Sequence, residues 1–149
     1  KINFIFRNFP LPMHDKAYDA AVAAEAAGMQ GKFWDMQNQI FAGQKDWATS
    51  PTYKQLWKGY AQKVGLDVTK WENDMIGMAA KTRVDADLNR AKAVGVNATP
   101  TLYINGVAYQ FAEMQASSLK AAIDAELKKM SEAGNANTGA PAAPANAAT

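Results

Sequence analysis

Side chains able to do chemistry are few in this sequence. It holds no cysteine and one histidine, His14. Disulfides and Cys-based metal sites within the chain are therefore excluded, and so is a His-rich metal site. No metal and no other cofactor is expected. His14 stands in a Pro-flanked loop just ahead of a predicted helix, where local hydrogen bonding is the first reading of it. Thr99-Pro100 precedes a predicted strand. On the residues alone, Pro100 reads as a trans proline opening that strand, because cis is the minor form of an X–Pro bond. Arg7 alternates with bulky apolar neighbours, which predicts a structural salt bridge or an exposed strand end. Glu25 lies in an alanine-rich stretch and reads as part of a solvated helix face. Of the four tryptophans, Trp34 and Trp57 fit the packing of helices, and Trp47, in a predicted loop, is the candidate for a surface contact. Met75 and Met78 fall at helical spacing and read as core.

Composition narrows the partners. The net charge is +2, and basic residues are scattered among acids. No basic stripe points to nucleic acid. Lys128-Lys129, the densest basic spot, ends a predicted helix, where cations suit the helix dipole. No apolar run reaches the length of a transmembrane helix, so no membrane insertion is expected. Lys1 opens directly into the apolar run Ile2-Asn3-Phe4-Ile5-Phe6, and no signal peptide is expected within these residues. The expectation is a chain whose N-terminal segment has been removed.

The elements follow from periodicity. Residues 2–9 read as a strand covered on both faces. Helices are predicted from about Lys16 to Ala27 with Asp15 as N-cap, from Lys32 to Ala42, and from Ser50-Pro51 to Val64. Asp67 caps a short helix through Trp71, and a long helix runs from Asp74 to Val94. The pattern then turns extended at Thr101-Leu102-Tyr103-Ile104. Asn105-Gly106 signals a tight hairpin, with Val107 to Phe111 as the return strand. A last helix spans Ala116 to Met130. Residues 133–149 hold no bulky apolar side chain and read as a flexible Ala/Pro/Asn-rich tail. One domain's worth of chain is present, yet its strands are too few for a complete sheet.

Phe6-Arg7-Asn8-Phe9-Pro10-Leu11, His14, the alanine stretch to Gly28 and Gln30-Gly31-Lys32-Phe33-Trp34 form one block. Gly65-Leu66-Asp67 and Gly95-Val96-Asn97-Ala98-Thr99-Pro100-Thr101-Leu102-Tyr103-Ile104-Asn105-Gly106 form two more. At these spacings the sequence resembles the DsbA-like thiol–disulfide oxidoreductases of the bacterial envelope, over about residues 2–130. The resemblance implies an α/β fold: thioredoxin-like, with an inserted helical domain, and with the N-terminal strand or strands and first helix missing. Residues 1–12 and 96–132 would form the thioredoxin-like part, and 13–95 the helical insertion with its connecting helix. The family's Cys-x-x-Cys lies upstream of the strand at 2–9, so this chain alone is expected to be inactive.

The resemblance further implies a cis Pro100 facing the dithiol, with the backbone of Thr99 pairing to an extended substrate by strand addition. It makes His14 a candidate for the active face. It places the parent protein in the periplasm or cell envelope, with unfolded or extended polypeptides as substrates and a redox partner protein. An exposed sheet edge invites a homodimer. The alternative is a redox-inactive thioredoxin-fold module that binds peptides or acts as a chaperone.

Overall fold

The computed structural model describes residues 2–109 and 111–137. Two compact units are formed, Lys1–Ala98 and Thr99–Thr149. The division falls at 98/99, and residues 1–12 belong to the same unit as the helices that follow them.

In the first unit the helices are α1 (Ala17–Gly28), α2 (Phe33–Ala42), α3 (Gln44–Trp47), α4 (Tyr53–Lys63), α5 (Val68–Ile76) and α6 (Met78–Ala93). Their core is built around a small-residue helix. Ala20, Ala23, Ala24, Ala26 and Ala27 of α1 are buried together with Val22. Alanine combines high helix propensity with a short side chain, so neighbouring helices approach closely. Large side chains from those neighbours fill the space: Met36, Trp57, Trp71 and Val84 are fully buried.

The ends of these helices show which local signals prevailed. Asp67 caps α5 as expected, its carboxylate accepting from the Lys70 backbone N–H at 2.9 Å. At α1 the capping position is Lys16 rather than Asp15, with no side-chain cap. At α4 it is Thr52, and Ser50 Oγ accepts from the Thr52 N–H at 3.1 Å instead of capping the helix. The long helix expected over 74–94 is interrupted. Gly77 is extended (ψ 168°) and separates α5 from α6.

Residues 2–9 correct the sequence reading. They form no ladder with any described residue, and Ile2, Phe4 and Ile5 are exposed rather than buried on both faces. β propensity favours a pleated surface but does not supply the partner that makes a strand. The aromatic side chains here pack on α2 instead: Phe4 stacks on Trp34 at 5.5 Å, and Phe6 lies 5.6 Å from Phe33.

Trp47 departs from the surface role expected of it, and Trp34 packs on Phe4, Phe6 and Phe33 while staying partly open to solvent. Trp47 is buried, and its indole N–H donates to the Ile40 carbonyl at 2.7 Å. Trp34 is 45% exposed. The turn at Gly43 folds α3 back against α2, which brings Trp47 inward to meet Trp57 at 5.2 Å.

Beside this aromatic cluster, the Tyr53 hydroxyl donates to Asp19 Oδ2 at 2.7 Å. Burial, then that hydrogen bond and the Asp19 charge, push the Tyr53 phenol up to about 12 from 10.0. The folded state therefore holds this proton more tightly than the unfolded chain. Its contribution to stability is complete below pH 10 and is lost as pH rises toward about 12. In a tyrosinate absorbance titration, Tyr53 is expected among the last groups to ionise. Tyr53→Phe should remove that late component and flatten the loss of stability across the same window.

The second unit holds a two-stranded antiparallel sheet, β1 (Leu102–Ile104) and β2 (Val107–Tyr109), with Leu102 opposite Tyr109, Tyr103 opposite Ala108 and Ile104 opposite Val107. The turn between them has positive φ at both central residues, 48° at Asn105 and 85° at Gly106. That matches the turn twist to the strand twist. A 3-10 turn at Phe111–Glu113 leads into α7, Ala116–Asn137. The helix thus runs past Met130 into the stretch expected as tail, since extending a formed helix costs far less than starting one. The remainder of that tail, 138–149, lies outside the described residues. Among the described residues, no helix is long and apolar enough to cross a membrane.

Candidate functional site

The segment 7–8 is fixed by carboxylates from two helices. Asn8 and Asp87 are the buried polar residues of the first unit's core. The Asn8 backbone N–H donates to Asp87 Oδ2 at 2.9 Å, and its side-chain amide donates to the same oxygen at 3.3 Å. The same amide donates to Glu25 Oε1 at 2.8 Å. Arg7 Nη1 donates to Asp87 Oδ1 at 3.0 Å. Arg83 lies 3.6 Å from Glu25 Oε2. Buried polar groups are costly unless paired. Here the pairing satisfies them and ties Arg7-Asn8-Phe9-Pro10 to both α1 and α6. Arg7 fits the structural salt bridge read from the sequence. Glu25 does not lie on a solvated face: its side chain is 14% exposed and doubly engaged.

Asp87 went unread in the sequence, although a signal was there. Ala80, Val84 and Ala91 are the other buried residues of α6. Asp87 falls three residues after Val84 and four before Ala91, which places a carboxylate on the apolar stripe. A charged residue in that position marks a buried partner.

His14 sits in the turn that carries this segment into α1. It is exposed, its N–H donates to the Leu11 carbonyl at 3.0 Å, and its carbonyl accepts from the Ala17 N–H at 2.9 Å. Thr99 and Pro100 open the second unit, two residues ahead of β1. Both are exposed, and the bond between them is cis. Among the described residues, no group of three or more His, Asp or Glu side chains could hold a metal ion.

Comparison with known proteins gives this arrangement a family. A Na(+)/H(+) antiporter NhaA 1 of Mycolicibacterium vanbaalenii is 38% identical over 125 residues, covering 82% of this chain and 19% of that protein. The NhaA 1 of Salinispora arenicola is 33% identical over 106 residues, covering 70% of this chain and 16% of the other. A probable disulfide bond formation protein D of Bacillus cereus is 34% identical over 135 residues, covering 87% of this chain and 60% of that protein. The chain thus spans about a fifth of the length of the antiporters it matches. A family model described as thioredoxin matches residues 1–125, spanning the Asn8 anchor, His14, Thr99-Pro100 and the hairpin. The chain belongs to this thioredoxin family.

Proposed function

We propose that the chain is part of a DsbA-like thiol–disulfide oxidoreductase that forms or isomerises disulfides in exported proteins, in the periplasm or cell envelope. One observation carries the reading: a thioredoxin-family match over residues 1–125, joined to 34% identity with a protein named for disulfide bond formation. Thiol–disulfide exchange needs a thiolate, and these 149 residues contain no cysteine. In this reading the thiols come from elsewhere in the parent protein, and the chain supplies the scaffold and the polypeptide-docking backbone at Thr99-Pro100. His14 is the candidate on the active face. The ion transport in the antiporters' name is not carried to a chain that spans about a fifth of their length.

An insulin-reduction assay with a small-molecule thiol as electron donor tests it. The chain alone is expected to give no rate above buffer. The parent gene product, with a Cys-x-x-Cys ahead of residue 1, is expected to accelerate precipitation, and Cys→Ser variants of that motif to abolish the effect. The lack of cysteine favours a second reading, a redox-silent module that holds extended peptides. A parent without cysteine, or one silent in the assay, would establish that reading instead.

A further inference from the structure

Asn105 is the one asparagine of the chain followed by glycine. Both residues are exposed, at the tip of the β1–β2 hairpin. Glycine places no side chain beside its own backbone nitrogen, so that nitrogen is open to a neighbouring carbonyl carbon. The Asn105 amide is engaged by the following helix. Its Nδ2 donates to Glu126 Oε2 of α7 at 3.0 Å, and Lys129 Nζ grips the other Glu126 oxygen at 2.6 Å. Those two donors, Lys129 first, hold the Glu126 carboxyl below its usual range and keep it a charged acceptor.

We propose that Asn105 is a site of spontaneous deamidation whose rate is restrained by Glu126. In the reaction, hydroxide removes the Gly106 N–H proton. The nitrogen bonds to Asn105 Cγ, and the Cγ–Nδ2 bond breaks as ammonia leaves, its third proton taken from water, which restores the hydroxide. Water then opens the cyclic imide to aspartate or isoaspartate. Nδ2 is the atom that departs and also the atom that donates to Glu126, so that hydrogen bond must be given up and opposes the reaction. The product reverses the contact it came from. A donor facing Glu126 becomes a second carboxylate, and the hairpin loses this tie to α7. The tie is therefore lost irreversibly with time and alkalinity.

The test is incubation of the full chain in mildly alkaline buffer, followed by peptide mapping with mass spectrometry. Conversion at Asn105 is expected to outpace that at Asn38, Asn73 and Asn97. Glu126→Ala should accelerate it roughly threefold, the effect of losing one exposed hydrogen bond of ordinary strength. Lys120→Ala, which removes the Lys120–Asp124 pair of the same helix at 2.6 Å, should leave the rate unchanged. Equal rates at the other asparagines would overturn the site. No acceleration in Glu126→Ala, or equal acceleration in Lys120→Ala, would overturn the restraint.

Discussion

Asp87→Ala is expected to lower the stability of the first unit by about 3 kcal/mol, a fall in Tm on the order of 15 °C. The carboxylate accepts from the Asn8 backbone N–H, the Asn8 amide and Arg7. Its removal leaves the buried Asn8 N–H without an acceptor, and that orphaned donor dominates the cost. The ion pair adds less, because the Arg7 side chain is 53% exposed and water screens its charge. Asp87→Asn, which keeps the shape but offers a single acceptor oxygen, should cost about half as much. Asn8→Ala keeps the backbone bond and should fall in the same intermediate range. Thermal and urea unfolding followed by circular dichroism measure all three. A change in Asp87→Ala smaller than about 0.5 kcal/mol, the usual effect of a surface substitution, would show that the anchor carries no stability.

The other large effect belongs to the core. Trp71→Ala is expected to cost about 4 kcal/mol, the range for removing a buried tryptophan. Trp71 is 2% exposed, and its indole N–H donates to the Ala23 carbonyl of α1 at 3.0 Å. The alanine face of α1 has no side chain long enough to fill the void. Trp71→Phe keeps most of the volume but loses that bond and should cost about 1–2 kcal/mol. Trp57 provides the contrast. It is fully buried, stacked edgewise on Trp47 and Tyr53, and its indole N–H has no partner among the described residues. Trp57→Phe should therefore be milder than Trp71→Phe in chemical denaturation. The reverse order would show that shape, not the Ala23 bond, sets the difference.

The sequence disclosed what depends on neighbours along the chain. Asn105-Gly106 specified its turn through backbone freedom alone, and Asp67 specified its cap through one local acceptor. It disclosed poorly what depends on distant partners. Residues 2–9 had the composition of a strand, but composition cannot provide a ladder. Trp47 read as a loop residue because the carbonyl that receives its N–H, at Ile40, becomes available only when the chain reverses at Gly43. Asp87 is 79 residues from the backbone N–H it serves, and only its misfit among apolar neighbours betrayed it. Of the candidate site, Thr99-Pro100 and His14 were visible as residue types in a familiar spacing, while the polar anchor behind Arg7-Asn8 was not.

The interruption at Gly77 has a geometric consequence. A straight rod over residues 68–93 would be about 39 Å long, against about 18 Å for α1. Such a rod could lay only part of itself along so short a neighbour. The extended glycine makes an elbow, and both limbs, α5 and α6, reach α1. One arm delivers Trp71 to the alanine helix, and the other delivers Asp87 to the Asn8 anchor. A single bend thus lets one stretch of chain grasp the central helix twice.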